Sequence, residues 1–364
     1  MRRTSNLAQD QDVYYPTTSH EKPSRAEGEL PTISIVIPTY NEEKNIRTCL
    51  DALLKQKYPL NLLEIIIVDN VSTDETLELV KEYEERICVS IIFNRVKKDA
   101  ELSKMLGLQS SRGELFLYLD ADIEVVGDDW LKKIIKPLLK ESSLVGSFPR
   151  FMPKPDDRAI GRYLRYHPLE LDPVFQFFCI EIDKTVVNDK GFYKVCVFNP
   201  TKMPPIGICV YRREPLMKVI GNLDRFMDID VPVMLAKNGY DKFGYVPFCG
   251  IYHVNVRNLK DLIKRRLRNI DKIFLPSIYT RNFSYFDLTN YRDVLRIVVW
   301  TIYANLFIPK MVKGILLSIK YGDMACMYEP VVSLLLTDAI IYGFVKSKSG
   351  REFIRNRIFG VKPA

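Results

Sequence analysis

Two carboxylates two residues apart, Asp120 and Asp122, follow a short apolar run, Leu115–Leu119. Hard oxygen donors held side by side suit Mg2+ or Mn2+, which keep open positions for phosphate oxygens. Side chains at i and i+2 of an extended backbone leave the same side, so both acids would face one way. Taken alone, such a pair also serves as an ordinary turn or helix cap. It has company here. Asp69 ends a second apolar run, Ile65–Val68, and can accept hydrogen bonds from a base or a ribose. Pro38-Thr39-Tyr40-Asn41-Glu42-Glu43 ends a third, Ile33–Ile37. Each of these strings by itself could be a turn. All three, in this order along the chain, are harder to explain that way.

The runs that carry these residues predict their placement. Ile33–Ile37, Ile65–Val68, Cys88–Phe93 and Leu115–Leu119 lack polar alternation and read as buried strands. Between them apolar residues recur at helical spacing. Asn41 is expected to cap a first helix through Leu54, with Glu42 and Glu43 in its first turn. Ser72 and Glu75 have the spacing of a capping box for a second helix, to about Glu85. Ala100–Ser110 and Asp128–Lys140 read as two more. Strands alternating with helices predict an α/β protein with a mostly parallel sheet covered on both faces. Ligands of such sheets bind beyond the carboxyl ends of the strands, which is where Thr39, Asp69, Asp120 and Asp122 would lie.

Composition narrows the class. The chain has 364 residues and 47% hydrophobic residues, enough for a large core without staples. Seven cysteines are scattered with no metal or redox spacing, and three histidines exclude a His-rich metal site. The net charge of +8 is concentrated near the C-terminus. Segments 255–272 and 346–364 are each strongly basic and flank an apolar stretch. That arrangement suits an anionic membrane surface. No groove-reading or RNA-binding signature accompanies it, so nucleic acid is not expected as a partner.

The strings SIVIPTYNEE (34–43), IIIVDNVSTDET (65–76) and RGELFLYLDADIE (112–124) resemble family 2 glycosyltransferases of the GT-A, Rossmann-like fold. The resemblance runs over about residues 32–270. It implies an inverting enzyme that uses a nucleotide-diphosphate sugar, a UDP- or GDP-sugar, and Mg2+ or Mn2+. It also implies roles. Thr39 and Asp69 would hold the base, Glu42 would lie near the ribose and Asp120 would contact the nucleoside. Asp122 would ligate the metal, with His253 beside the metal or diphosphate. Asp228 matches the catalytic base. Asp230, two residues on, is either a second acid or a helix N-cap with Pro232 in the first turn. Arg265 and Arg266, like Arg268, would reach donor or acceptor phosphate, or belong to a solvated or membrane-facing helix. Lys104-Met105 stands where the family often has Arg-Asn; Lys104 would offer its cation to the diphosphate. Met227 replaces the usual Glu before the base.

The expected organisation is a flexible polar tail (1–30), a nucleotide-sugar-binding half (31–150) and an acceptor half carrying the base (151–255). A basic amphipathic segment (256–290), an apolar helical region (291–345) and a basic tail (346–364) would follow. The stretch 150–205 reads as irregular. Ile297–Pro309 is uncharged, and 330–345 is apolar except for Asp338. Neither cleanly supplies the roughly 20 apolar residues of a spanning helix, so interfacial or re-entrant helices are expected, with Lys310 and Lys313 snorkelling; a spanning hairpin and a soluble helical or oligomer contact are the alternatives. The implied location is the cytoplasmic face of the cell membrane, beside a lipid-linked or surface-glycan acceptor. Two other readings remain: a non-catalytic membrane adaptor on a decayed transferase fold, and a sugar-1-phosphate nucleotidyltransferase. The second would want a glycine-rich loop after the first strand, and the loop at 38–41 has no glycine.

Overall fold

The computed structural model describes residues 13–14, 30–96, 98–166, 173–204, 206–253, 256–277, 281, 287 and 290–358. The expectation of a flexible tail over 1–30 lies outside these apart from Val13–Tyr14 and Leu30, as does the end of the basic tail. The chain forms two compact units. The first comprises 1–150, 186–198 and 206–252; the second comprises 151–185, 199–205 and 253–364.

The first unit is built on one mixed sheet. Its strands are β1 (Val13–Tyr14), β2 (Ile33–Thr39), β3 (Leu63–Asp69), β4 (Val89–Phe93), β5 (Leu115–Tyr118), β6 (Ile123–Val125), β7 (Gly146–Phe151), β8 (Val186–Asp189), β9 (Lys194–Val197), β10 (Val210–Arg212) and β11 (Lys242–His253). They lie in the order β1-β4-β3-β2-β5-β10-β7-β11-β9-β8, with β6 on β11. The centre, β4-β3-β2-β5, is parallel, and the pairs β1–β4, β5–β10, β10–β7, β11–β9 and β9–β8 are antiparallel. Every residue of β2 is buried, as the unbroken apolar reading requires of a strand covered on both faces. Pro38 does not stop β2. It stays in register opposite Val68, and Thr39 sits opposite Asp69.

The helices of this unit are α1 (Ile46–Leu54), α2 (Thr76–Lys81), α3 (Ala100–Ser110), α4 (Trp130–Lys140), α7 (Arg213–Ile220) and α8 (Asp230–Lys237). Two expected caps are not made. Asn41 adopts a left-handed φ of 54°, α1 starts after Asn45, and the Asn41 side-chain oxygen accepts from the Thr73 amide at 2.8 Å. Ser72 donates its hydroxyl to Asp69 and accepts from the Asn41 amide at 3.0 Å instead of capping, and Asp74 accepts from the Thr76 amide at 3.1 Å. In both cases the polar side chain ties one strand-end loop to its neighbour, which competes with capping.

The second unit is helical: α5 (Ala159–Arg165), α6 (Pro173–Phe178), α9 (Leu259–Asn269), α10 (Leu275–Ser277), α11 (Tyr291–Asn305), α12 (Phe307–Tyr321), α13 (Glu329–Lys346) and α14 (Lys348–Ile358). The stretch read as irregular thus holds α5, α6, β8 and β9. These elements are short, and their apolar residues keep no period long enough to read. Ile160, Tyr163, Leu164, Val256, Leu262, Ala325, Val332 and Leu336 form the core.

Lys310 and Lys313 do not snorkel. The carboxylate of buried Glu329 accepts from Tyr163 Oη at 2.7 Å and Lys313 Nζ at 2.9 Å, with Lys310 Nζ at 3.5 Å. Lys313 also donates to Gln176, and the Lys310 ammonium lies 4.3 Å from the centre of the Tyr303 ring. A charge inside an apolar bundle must be paired or it unfolds the site. Here one carboxylate serves both lysines. The segment Met324–Lys346 is long and apolar enough to cross a membrane, and half of it is buried within the protein. Helices α11 and α12 meet at a 72° bend.

Candidate active site

The carboxyl ends of β2, β3 and β5 bring Thr39, Asp69 and the Asp120–Asp122 loop to one edge of the sheet. Asp69 is buried and heavily used. It accepts from Thr39 Oγ1 at 3.1 Å, the Ser72 amide at 2.9 Å and Ser72 Oγ at 2.5 Å. Asn70 Nδ2 donates to the Thr39 carbonyl at 3.1 Å, and Asn94 Nδ2 to Asn70 Oδ1 at 3.0 Å. Thr39 and Asp69 therefore first lock the two strand ends together. Whatever binds here meets a preformed edge, and the lock holds Val71 at a left-handed φ of 63°, rare for a β-branched residue.

Asp120 and Asp122 do not sit on extended backbone. The Asp120 carbonyl accepts from the Ile123 amide at 3.0 Å, closing a tight turn between β5 and β6. Only two residues link Asp120 to β6, and β6 joins β11 rather than continuing β5, so the chain must reverse. The carboxylates still act together. Burial raises the Glu42 pKa, Asn45 opposes it by donating to the carboxylate at 2.8 Å, and Asp122, Asp120 and Asp74 raise it further. Burial, then Asp122, Asp120 and Glu42, push the Cys49 thiol up to about 12. A patch of partly exposed, mutually repelling carboxylate oxygens fits a hard divalent cation, which would relieve that repulsion.

Lys104, from α3, is the most constrained of the expected residues. Its ammonium lies 2.8 and 2.9 Å from the two oxygens of Asp228, 3.8 Å from Asp120 and 4.4 Å from the centre of the Tyr118 ring. Burial alone would lower its pKa, but Asp228, Asp120 and Glu101 outweigh burial and raise it. Asp228 precedes α8. Asp230 is the first residue of that helix and is buried; the cap position belongs to Ile229, whose side chain cannot accept a hydrogen bond.

Sequence reasoning missed what holds Asp228 in place. Asp99 caps α3 by accepting from the Leu102 amide at 3.0 Å. Its other oxygen takes Arg225 Nε and Nη2 at 3.0 and 2.8 Å. The Phe226 amide donates to the Glu101 carbonyl at 2.9 Å, and the Phe226 ring packs on Phe116, Tyr118 and Tyr211. The pairs 99–225, 101–226 and 104–228 fasten the segment before α8 onto α3. The opposite charges of Asp99 and Arg225 were the only signal, and nothing in the sequence joined them.

The remaining expected residues lie in the second unit. His253 ends β11; its Nδ1 is 3.2 Å from Arg165 Nη2, its carbonyl accepts from Arg165 Nε at 3.3 Å, and its ring stacks on Phe151. Arg265 and Arg266 are partly exposed on α9, which is capped by Asn258 accepting from the Asp261 amide at 3.0 Å.

Residues 34–218, just over half of the chain, match glycosyl transferase family 2, and the chain belongs to that family. Glycosyltransferase AglE of Haloferax volcanii is 31% identical over 105 residues, 29% of this chain and 34% of AglE. The dolichyl N-acetyl-alpha-D-glucosaminyl phosphate 3-beta-D-2,3-diacetamido-2,3-dideoxy-beta-D-glucuronosyltransferase of Methanococcus voltae is 36% identical over 91 residues, 24% of this chain and 28% of that protein. These matches span about a third or less of each relative's length. Mannosyltransferase PcManGT from Pyrobaculum calidifontis, solved in complex with GDP-Man and Mn2+, superposes with a TM-score of 0.51 at 16% identity. The superposition covers 94% of this chain and 92% of that one, and the shared architecture is the GT-A fold.

Proposed function

We propose that this chain is an inverting glycosyltransferase that moves a sugar from a UDP- or GDP-sugar to a hydroxyl or phosphate acceptor. The observation that carries the reading is the Asp120–Asp122 turn at the same strand-end edge as Thr39 and Asp69. Thr39, Glu42, Asp69 and Asp120 form the donor side. Asp122 would hold Mg2+ or Mn2+. Bound there, the metal would neutralise charge gathering on the departing diphosphate. Asp228 takes the proton from the acceptor hydroxyl as its oxygen attacks the anomeric carbon. The new C–O bond forms on the face opposite the diphosphate, which leaves with the electron pair of the broken bond. The centre inverts, and no sugar–enzyme bond forms.

The same proposal places the acceptor at a lipid surface on the cytoplasmic side. Leu295, Val298 and Ile302 of α11 and Ile308, Leu316 and Ile319 of α12 are exposed apolar residues on the bent helix pair. Helix faces of this kind lie in the headgroup–acyl boundary of a bilayer. The name of the Methanococcus relative, which specifies a dolichyl-phosphate-linked acceptor, points the same way.

The test is nucleoside diphosphate release from a panel of UDP- and GDP-sugars, with and without Mn2+ or Mg2+ and with membrane lipid extract. Metal-dependent release from one donor that requires the lipid supports the reading. Asp228→Asn is expected to cut release by about 100-fold or more and keep donor binding. A variant that transfers at the wild-type rate removes Asp228 as the base. Absence of both release and donor binding across the panel would overturn the transferase reading and favour the adaptor.

A further inference from the structure

We infer that Lys104 is the positioning residue of Asp228 and does not contact the donor diphosphate. This rests on reading Asp228 as the base. The argument is directional. The Lys104 side chain is 4% exposed, whereas that of Asp228 is 34% exposed. The ammonium thus stands behind the carboxylate, and the carboxylate faces outward. An ammonium has three N–H donors. Both oxygens of Asp228 lie within hydrogen-bond distance, the Tyr118 ring closes another side and Asp120 stands at 3.8 Å. A phosphate would have to displace one of these partners to reach it.

The position of the pair is set by the three tethers between α3 and the segment before α8. Arg225 on Asp99 and the Phe226 amide on the Glu101 carbonyl fix the backbone just before Asp228, and Lys104 then fixes the carboxylate itself. Lys104 therefore holds both oxygens of the base against rotation, so the group meets the acceptor hydroxyl already oriented.

The experiment compares Lys104→Met, Asp228→Asn and the double variant. Donor affinity is read by calorimetric titration with UDP and with GDP in the presence of Mn2+. Turnover is read with the donor that the wild type uses in the panel. For Lys104→Met, kcat is expected to fall about tenfold or more, within the roughly 100- to 10,000-fold a positioned base supplies. The nucleotide Kd should stay within about twofold. Added to Asp228→Asn, the lysine change should cost no further turnover, because both act through one group.

A diphosphate ligand would behave differently. Loss of a charge-assisted hydrogen bond would raise Kd by about tenfold or more, and the two substitutions would multiply. Either result overturns the inference. If Asp228→Asn is inactive while Lys104→Met turns over normally, the base stands and the positioning role falls. If Asp228→Asn is fully active, the reading of the base has failed, and the inference with it. Should Lys104→Met not fold, Lys104→Gln carries the same comparison, since it keeps a donor toward Asp228 without the charge.

Discussion

Gly107 faces β2 from the third turn of α3, and its missing side chain allows the helix to lie where it does. A Cβ built there would sit 2.3 Å from Val36 Cγ1 and 2.7 Å from Cγ2. The nearer contact falls about 1.2 Å inside the roughly 3.5 Å at which two carbons meet. Val36 is fully buried, so its methyl groups have no empty space to turn into. Gly107→Ala therefore sets two effects against each other. Helix propensity favours alanine by about 1 kcal/mol. Overpacking costs about 1–3 kcal/mol. A contact this close belongs at the upper end of that range, so the clash should win by about 1–2 kcal/mol, a fall in Tm of roughly 1–3 °C for a chain of 364 residues. The displacement should also reach Lys104, one turn earlier on the helix, and lower kcat more than stability alone explains. The assay is thermal unfolding by circular dichroism beside nucleoside diphosphate release. Val36→Ala opens a cavity by itself, but combined with Gly107→Ala it should cost less than the two losses added. A Gly107→Ala protein that melts at or above the wild type, or strict additivity with Val36→Ala, would refute the packing argument.

Other perturbations test other parts. Val71→Gly should raise Tm, because a strained φ costs about 1–3 kcal/mol and the glycine entropy penalty is smaller, about 0.5–1 kcal/mol; an unchanged or lower Tm argues against strain. Asp122→Asn should weaken Mn2+ binding by about tenfold or more in calorimetric titration, as loss of a carboxylate ligand demands, while leaving Tm nearly unchanged. Glu329→Gln leaves two lysines around one neutral amide in the helical unit and should cost about 3–5 kcal/mol, read by chemical denaturation; a loss below 1 kcal/mol would show the pair is solvated. Asp323 is held well below the usual carboxylate range: Arg162 hydrogen-bonds to it at 2.7 Å, burial opposes, and Tyr166 adds a hydrogen bond at 2.6 Å. Its folded pKa lies below its unfolded value of about 3.9, so its stabilisation is full above about pH 5 and is lost as pH falls through that range. Asp323→Asn should flatten the acid limb of the stability–pH curve, and an unaltered limb would remove Asp323 from its causes.

The parallel centre of the sheet was legible because strands covered on both faces must be largely apolar, and β2, β3 and β5 are, with Ser34 and Glu64 the polar residues inside them and Thr39 and Asp69 at their ends. Helix α3 has the bounds its periodicity predicts, Ala100–Ser110. The caps at Asn41 and Ser72 were misread because each side chain satisfies a loop more than two dozen residues away, and local spacing says nothing about such partners. The Asp120–Asp122 pair was visible as chemistry, but the extended backbone expected for it gave way to a turn, because the reversal follows from where β6 pairs. Lys104 and Asp228 were both named, yet 124 positions separate them. Their ion pair exists only because Phe226 and Arg225 dock on α3. Lys310 and Lys313 misled for a related reason: without Glu329 known to be buried beside them, solvent is the natural place for a lysine head.

The first unit is assembled from three separate stretches of chain, and this has a consequence for its biogenesis. Strand β5 is made early, but its neighbour β10 lies at Val210–Arg212 and β11 ends near residue 252. At ribosomal speed the interval is on the order of ten seconds. Until then the nascent sheet presents β5 as a bare edge, a template for pairing with another chain. A fragment ending at residue 150 would be frozen at that stage. The protein should therefore be hard to divide into expressible pieces, and its folding in the cell should depend on a chaperone reaching that edge first.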